Sequence, residues 1–596
     1  MKNNRILLTA ICFVLVASLL CACQSTNQIK PISSTTKPDI QDSLGDIDTD
    51  INDNDINSDY NEGDAKTVTF SGANASVKGT GLAAQGSTVR ISAEGTYVVS
   101  GASSDGYIIV DAAKAKVQIV LNGVDLSHAD GPAILVKDAK KVTLTIAEGT
   151  NNTLSDGSSY SLYEGNAIVD GTIFAKAELV LNGSGTLTVN GNNAHGIVSK
   201  DGLTIAGGNI NVNSKNAGIA GKDYLKIANA NITIKAGTDG LKSENLDDTS
   251  AGYIYIQSGT FNINSANDGI QSSNVVSIDG GAFNIKTTST ASTASAKGVK
   301  GVVGVAIAGG SFVIDASDDG VHSDGDVLIA GGKLSIKSAD DGVHANDNLE
   351  IAGGELVIEK SYEGLEATDI SISSGKVVIN SSDDGMNASG GNDGNNNTSV
   401  GGRPGGDMFE SSNGSITISG GYVIVHAEGD GIDANGSLNV SGGVVLVDGP
   451  SRGGNGSLDY VSTASITGGV FMSLGTSDMA QNFKEATQGS ILLNSSTFTA
   501  GTVISVCDSN GNVIVAFKST KAFNCVTVSA PELKQGESYT FYSGASVAGV
   551  DENGFAHNTT QTGGTSWNTV TLSSLISGQG SSMPGGGGFP GGTRPR

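Results

Sequence analysis

A short motif built around glycine returns at nearly constant spacing along the middle of this chain. It consists of an acidic residue, a glycine, an aliphatic residue, a variable residue and then alanine or serine, as in residues 319–323 and 341–345. The motif glycines follow one another every 22 residues from Gly196 to Gly240 and again from Gly298 to Gly364, and the other steps are 21, 29 or 46 residues. A period of this size is typical of stacked units, each too small to bury a core alone.

Within one period, apolar and polar residues alternate, which is typical of half-buried strands. Phe312 and Ile314 form one alternating pair, and Val327 and Ile329 form another. A third column is predicted to stack inward and comprises Val321, Val343, Leu365 and Met386. Three short strands per period predict an all-β fold, a right-handed parallel β-helix (solenoid) over residues 67–488. The handedness follows from the general rule for parallel crossovers.

Two other repeat folds fit the spacing less well. A leucine-rich repeat requires a fixed framework of leucine and asparagine, which is not present, and a β-propeller requires about 40 residues per blade.

The predicted β-helix carries a Gly- and Asn-rich loop insertion at residues 389–413. The 22-residue rhythm stops near residue 489, so residues 489–578 are predicted to form a small C-terminal β-unit. Residues 579–596 are rich in Gly and Pro and are predicted to be disordered.

The N-terminus has the features of a bacterial lipoprotein signal peptide, predicted over residues 1–22. Lys2 and Arg5 precede an apolar run at residues 6–20 that is too short to span a membrane stably. Residues 20–23 match a lipoprotein box in which Cys23 receives the lipid; a plain secretory signal is the alternative. Lipidation predicts a protein at the extracellular face of the cell membrane, which contacts the membrane through the anchor only.

Residues 23–66 are predicted to be a disordered acidic linker. The segment is rich in Asp, Asn, Ser and Thr and poor in aromatic residues, so it cannot bury a core. Its aspartates do not form an EF-hand loop, because the sixth and twelfth positions after Asp46 are Ile51 and Asn57 instead of Gly and Glu.

Charge and cysteine content restrict the partners and the compartment. A formal net charge of −26 argues against nucleic acid as a partner, because such binding requires clustered Lys and Arg. After removal of the signal peptide and lipidation of Cys23, only Cys507 and Cys525 remain. A disulfide between them would suit an oxidising exterior, but the sequence leaves open whether the two cysteines are bonded.

Stacked coils place equivalent acidic residues about 4.8 Å apart. Two carboxylates at that distance repel by about 0.9 kcal/mol in water and about 3.5 kcal/mol at an effective dielectric of 20. Calcium would relieve this repulsion, because oxygens on opposite sides of one ion lie about 4.6–5.2 Å apart. The predicted calcium ligands are Asp318, Asp319, Asp340, Asp341, Glu363, Glu366, Asp383, Asp384, Asp430 and Asp433.

Two alternatives remain open for these columns. Each Asp could simply make a turn before its glycine, since Asp-Gly is a common turn sequence. The column that follows the motif aliphatic residue contains His322 and His344. These would suggest zinc, but the nitrogen and sulfur ligands that zinc prefers are incomplete.

Several strings resemble a family of bacterial surface lipoproteins described as carbohydrate-binding domain proteins, with a right-handed β-helix related in fold to pectate lyases. The resemblance covers residues 67–549 and is carried by the repeated Asp-Asp-Gly motif and by three further strings, residues 104–111, 120–125 and 145–157. It implies binding of plant cell-wall polysaccharides, acidic pectin (polygalacturonate) and cellulose among them, with calcium in the β-helix. It does not imply catalysis.

The sequence favours binding over catalysis. A calcium-dependent polysaccharide lyase requires a base beside its acidic site, and no Arg lies in the repeats of the acidic column; Lys242 and Lys300 could serve. Hydrolysis by paired acids and a structural surface adhesin remain alternatives. The sugar site is not located by sequence, and the candidate stacking residues are Tyr253, Tyr255, Tyr362 and Tyr422.

Overall fold

A computed structural model describes residues 47–165, 167–289, 295–389 and 414–578. The predicted signal peptide, Cys23, the first part of the acidic linker, nearly all of the loop insertion and the C-terminal tail lie outside these residues. In the described part of the chain, no helix is long and apolar enough to cross a membrane.

The architecture is all-β and is dominated by parallel pairing, in the manner of a solenoid. Each coil contributes three short strands, as in Ser311–Asp315, Val321–Ser323 and Asp326–Ile329. Every strand pairs with the equivalent strand one coil later, which produces three long ladders. Ladders 1 and 2 belong to one hydrogen-bonded sheet because the long strand Lys116–His128 contributes to both.

Ladder 1 follows that shared strand and consists of Lys141–Ile146, Glu178–Gly183, Gly202–Ile205, Tyr224–Ile227, Tyr253–Ile256, Val275–Ile278, Gly304–Ile307, Asp326–Ile329, Asn348–Ile351, Asp369–Ile372, Ser415–Ile418, Ser437–Val440, Thr463–Ile466 and Glu485–Ala486. Ladder 2 includes the shared strand and consists of Lys66–Ser71, Gly95–Ser103, Asn151–Asp156, Thr186–Gly191, Asn209–Ser214, Ala230–Ala236, Gly259–Ser265, Ala282–Thr287, Ser311–Asp315, Lys333–Lys337, Glu355–Ser361, Lys376–Ser381, Tyr422–Ala427, Val444–Asp448 and Val470–Gly475. Ladder 3 consists of Leu82–Gln85, Thr88–Ile91, Tyr107–Asp111, Ile134–Asp138, Gly171–Ala175, His195–Ser199, Ile219–Gly221, Leu241–Ser243, Ile270–Ser272, Val299–Gly301, Val321–Ser323, Val343–Ala345, Leu365–Glu366, Met386–Ala388, Ile432–Ala434 and Asp459–Tyr460.

The core runs the length of the coils because alternate residues of every strand point inward. The predicted inward column is confirmed: Val321 pairs with Val343, Val343 with Leu365, and Leu365 with Met386, and all four are fully buried. A second column stacks aromatic rings, with the ring centroids of neighbouring phenylalanines 4.6 and 4.4 Å apart. Its members are Phe261, Phe283 and Phe312.

The motif glycine is required for close packing between coils. A Cβ added to Gly320 would lie 2.3 Å from Cγ2 of Ile336 and 2.6 Å from the carbonyl oxygen of Gly342 on the next coil. Any larger residue would therefore push two coils apart, which explains why the glycine returns in every period.

The two ends of the stack differ from its middle. At the start, two antiparallel hairpins are formed by Lys66–Ser71 with Asn74–Lys78 and by Leu82–Gln85 with Thr88–Ile91. At the end, Phe523–Ala530 pairs antiparallel with both Val470–Gly475 and Gly489–Phe498. A five-stranded antiparallel sheet follows, in the spatial order Phe555–Thr559, Val513–Lys518, Val503–Cys507, Ser538–Ser543 and Thr565–Thr571. The remaining short strands are Leu162–Glu164, Ala167–Val169, Ser546–Val547, Gln561–Thr562 and Ile576–Ser577.

One sequence prediction differs from the structure, and the structure answers a question that the sequence left open. Residues 47–66 were predicted to be disordered, but they contain a helical turn, Asp53–Ile56, and residues 47–57 contact the coils. The possible disulfide is not formed: Cys507 and Cys525 are both free and buried. These cysteines lie in strands of different sheets, where each packs among apolar neighbours.

Candidate functional site

The acids that precede the motif glycines stack along one edge of ladder 3. The N–H of Gly320 donates to the carbonyl of Asp341 at 2.9 Å, and the N–H of Gly342 donates to the carbonyl of Glu363 at 3.0 Å. The same bond between successive coils orders a column, here named position A: Asp239, Asp268, Lys297, Asp319, Asp341, Glu363, Asp384 and Asp430.

The residues that follow the motif aliphatic residue form a second column, here named position B. Lys300 pairs in register with His322, His322 with His344, and His344 with Glu366. The full column is Lys242, Gln271, Lys300, His322, His344, Glu366, Asn387, Asp433 and Asp459. Positions A and B together are called the polar stripe below.

Sequence reasoning assigned no role to several members of the polar stripe, Lys297 and Asp459 among them. Lys297 precedes the glycine of a degenerate motif, so its place in the column could have been predicted from spacing. Asp459 pairs in register with Asp433 but follows no motif glycine, so the repeat gave no signal for it.

Position A has a structural role that is repeated along the stripe. Oδ1 of Asp319 accepts the backbone N–H of Asp341 at 3.0 Å, and Oδ1 of Asp268 accepts the N–H of Lys297 at 2.8 Å. Oδ1 of Asp384 accepts the N–H of Asp430 at 2.6 Å. Each of these carboxylates thus satisfies a backbone donor of the following coil, which leaves its second oxygen for other partners.

At Asp319, in the N-terminal half of the stripe, cations neutralise that second oxygen. Nζ of Lys297 lies 2.5 Å from Oδ2 of Asp319 and 2.9 Å from Oδ2 of Asp318. Nδ1 of His322 lies 2.7 Å from the same Asp319 oxygen, and its Nε2 lies 2.8 Å from Asp324. Burial alone would raise the pKa of Asp319, but His322 and Lys297 outweigh burial and hold it well below its usual range.

His344 marks the transition between the two halves. Its Nδ1 lies 3.0 Å from Oδ2 of Asp341 and 3.0 Å from Oε2 of Glu366, and its Nε2 lies 3.0 Å from Oδ1 of Asn346. Its ring stacks on that of His322 with centroids 4.8 Å apart. Burial and the charges of Asp319 and Glu366 raise the pKa of Asp341 to about 9, because one imidazole faces two carboxylates.

The C-terminal half of the stripe is acidic without a balancing cation. Within the described ranges, no ion pair with Lys, Arg or His joins Glu363, Asp384, Asp430, Asp433 or Asp459. Burial is the largest cause of their raised pKa values, and nearby carboxylates add to it for all of them except Asp459. The pKa rises to about 9 for Glu363, about 7 for Asp384, about 8 for Asp430 and about 7 for Asp433.

One group in this acidic half could hold a cation. Asp384, Asp430 and Asp433 each offer a carboxylate oxygen within 4.8 Å of the others. Asn387 is adjacent to Asp433 in register, and its Nδ2 donates to Glu363 at 2.9 Å. The Oδ1 of Asn387 is buried and has no hydrogen-bond partner among the described residues. Four oxygen donors, one of them a buried orphan, fit the ligand preference of calcium.

The other predicted calcium ligands lie in two different settings. Asp319 and Asp341 are buried and belong to the half that contains His322 and His344. Asp318, Asp340 and Asp383 lie at the outer edge, where Asp340 is exposed and Asp318 contacts Lys297. Glu366 contacts His344. The structure therefore places seven of the ten predicted ligands in the polar stripe, leaves Asp318, Asp340 and Asp383 at its outer edge, and separates the seven by charge balance.

The zinc alternative gains no support from this geometry. Asp319, His322 and His344 do lie within 4.8 Å of one another. Both nitrogens of His322, however, already face carboxylate oxygens at 2.7 and 2.8 Å, so neither offers a free lone pair directed at a shared ion.

Comparison with known proteins gives a family. The model of the carbohydrate-binding domain-containing proteins matches residues 85–342 and 340–511, which include the whole polar stripe. The chain belongs to this family.

One relative in the family is a carbohydrate-binding domain-containing protein of Acetivibrio thermocellus. It is 34% identical over 134 residues, which are 22% of this chain and 47% of the relative, so the match spans about half of the relative's length. A solved structure, described as a polysaccharide lyase-like protein from C. thermocellum in a gadolinium derivative, shares 29% identity. It covers 44% of this chain and 96% of its own, with a TM-score of 0.36.

Proposed function

We propose that this protein binds an acidic cell-wall polysaccharide of the polygalacturonate type, with calcium held in the acidic half of the polar stripe. Membership of the carbohydrate-binding domain family supports a polysaccharide as the ligand. The uncompensated acidic cluster around Asp430 carries the calcium part of the proposal.

The electrostatics explain why an acidic polymer would need the metal. The chain has a net charge of −26, and the acidic half of the stripe adds no cation of its own. A polyuronate would be repelled from this surface unless a divalent cation neutralised both sets of carboxylates. Asp384, Asp430, Asp433 and Asn387 would hold the ion, which supplies positive charge that protein and polymer can share.

The remaining features of the proposal concern the setting of this site. We place the polar stripe on a right-handed parallel β-helix of the pectate-lyase type. The helix would be anchored by a lipid on Cys23 at the extracellular face of the membrane, where it would meet polymers of the surrounding medium.

Binding is preferred to lyase activity because the lysines of the stripe face acids. Lys242 lies 3.5 Å from Asp239, and Lys300 lies 3.7 Å from Asp324. Burial favours loss of the proton from Lys297, but Asp319 and Asp318 outweigh it and raise the pKa of this lysine. A base for proton abstraction requires the opposite shift.

Titration calorimetry with polygalacturonate, in calcium and then in excess chelator, tests the proposal. We expect chelation to weaken binding by about tenfold or more and to lower the melting temperature, because a ligand of the folded state stabilises it. Asp433→Asn should reproduce part of both effects. Asp130→Asn, which removes one charge at an exposed site away from the stripe, is the matched control and should behave as wild type. Equal binding with and without calcium would reject the metal bridge.

A further inference from the structure

Residues 47–57, named the strap, lie against the outer face of ladder 1. Ile47 is buried in a cluster with Tyr253, Tyr255 and Val275. The hydroxyl of Tyr253 donates to the carbonyl of Asp48 at 3.2 Å. A segment whose composition predicts disorder is therefore ordered by the surface that it covers.

Lysines of ladder 1 hold the strap through its acids. Nζ of Lys226 lies 2.6 Å from Oδ2 of Asp48 and donates to the carbonyl of Asp50 at 3.0 Å. Nζ of Lys141 lies 2.5 Å from Oδ1 of Asp55. Asn182 lies on a strand of ladder 1 between the strands of Lys141 and Lys226, and its Nδ2 donates to the carbonyls of Asp55 and Asn57 at 3.0 and 2.9 Å.

The surface beneath the strap combines amines with aromatic rings. Tyr224 and Lys226 lie on one coil, and Tyr253 and Tyr255 lie in register on the next. The rings of Tyr224 and Tyr253 stack with centroids 5.8 Å apart, and Nζ of Lys226 lies 4.8 Å from the Tyr224 ring centroid. Amines pair with carboxylates and aromatic rings pack against the C–H faces of sugars, so this set suits a chain of sugar acids.

The strap presents the same chemistry as such a polymer. The strap contains four acids, Asp48, Asp50, Asp53 and Asp55, and no Lys or Arg. Its carboxylates are spaced along an open backbone, and two of them reach lysines on different coils. The strap thus occupies the surface in the way that a polyuronate would occupy it.

The contacts that hold the strap are few. Ile47 is its one buried apolar residue, Ile51 is half-buried against the same cluster, and Ile56 remains exposed. The Asp48 side chain is 67% exposed, so water and salt screen its ion pair with Lys226. A ligand with many carboxylates can therefore compete for the same lysines.

We propose that the face formed by Lys141, Tyr224, Lys226, Tyr253 and Tyr255 is a second binding site for acidic polysaccharide, and that the strap is its internal competitor. This inference rests on the proposed function. It adds a site that does not require the calcium of the polar stripe, because the protein itself supplies the positive charge.

The double variant Asp48→Asn/Asp55→Asn weakens the strap and is the direct test. We expect the affinity for oligogalacturonate in excess chelator to rise at least about fivefold, since apparent affinity scales with the fraction of molecules whose site is open. Adding Lys226→Gln to this variant should abolish the gain. The matched control is Asp53→Asn/Asp59→Asn, which removes two exposed acids, one in the strap and one two residues beyond it, and should match wild type.

Each result has a separate meaning. If wild type, both double variants and the triple variant bind oligogalacturonate equally in excess chelator, the strap is not a competitor. That result would leave the proposed function intact. An equal gain in the control variant would mean that net charge alone is responsible, which also overturns it. If no variant binds oligogalacturonate with or without calcium, the proposed function itself fails. Thermal melting of each variant verifies that the coils are folded.

Discussion

The two halves of the polar stripe share one backbone design and differ in charge balance. Asp319 in the first half and Asp384 in the second each accept an N–H from the following coil. Lys297 and His322 neutralise the first carboxylate, whereas the second has no such partner among the described residues. The comparison teaches that the repeated acid is a structural element of the coil and that its neighbours decide whether it can also recruit a cation.

The largest expected effect comes from removing the cation of the first half. Lys297→Met leaves Asp319 and Asp318 buried or half-buried without their amine. We expect a loss of about 3 kcal/mol in the free energy of unfolding, because removing one partner of a buried ion pair leaves the other charge buried and uncompensated. Urea unfolding monitored by circular dichroism measures it.

Lys286→Met is the control for this variant. Lys286 pairs with Asp315 at 2.9 Å, but both side chains are more than half exposed, so its loss should cost below about 1 kcal/mol. Similar losses for the two lysines would mean that Asp319 does not depend on Lys297.

Asp319 of the first half and the acids of the second half should respond to pH in opposite directions. The pKa of Asp319 is lowered, so its contribution to stability is present above the usual aspartate pKa and is lost only in strong acid. The pKa values of Asp384, Asp430 and Glu363 are raised to about 7, 8 and 9, so their contribution is present when they are protonated and is lost as pH rises through those values.

Without calcium, the melting temperature should therefore fall by several degrees, about 2–4 °C per kcal/mol, between pH 5 and pH 9. Saturating calcium should flatten this dependence, because the bound ion favours the ionised acids. A calcium-free melting temperature that rises toward pH 9 would contradict the raised pKa values. Differential scanning calorimetry measures both series.

The smallest effect is expected from Asp430→Asn in the second half. Without calcium at pH 8.5, this change should stabilise the protein by about 1 kcal/mol, because it removes one of the repelling charges. The amide oxygen can still accept the N–H of Gly456, as the carboxylate does. Calcium should stabilise this variant less than wild type, and equal stabilisation would place the ion elsewhere.

Much of the coil architecture could be predicted from the sequence. The inward positions of Val321, Val343, Leu365 and Met386 followed from a 22-residue period combined with strand alternation, because both are local and repeated. The alignment of His322, His344 and Glu366 followed for the same reason. In a stacked fold, the position of a residue within its period determines which residues lie beside it on the adjacent coils. One correct spacing therefore places a whole column.

What escaped prediction depends on contacts between distant residues. The neutralisation of Asp319 by Lys297 involves the long reach of a lysine side chain, which spacing does not describe. The strap was predicted to be disordered because its composition is polar and poor in aromatic residues, yet Lys226 lies 176 residues away from Asp50 and helps to order it. The sequence left open whether the two remaining cysteines pair, whereas each occupies an apolar position in a separate sheet.

The packing of the motif glycine also sets the unit in which this protein can change its length. Because a Cβ at Gly320 would meet the carbonyl of Gly342, coils can stack only at the spacing that glycine permits. A segment of 22 residues that starts at one motif glycine and ends before the next carries one strand of each ladder. Such a segment can be removed or duplicated while the strands on either side stay in register. The polar stripe would then shorten or lengthen by about 4.8 Å per coil, the distance between adjacent strands, so its length can change only in steps of one whole coil.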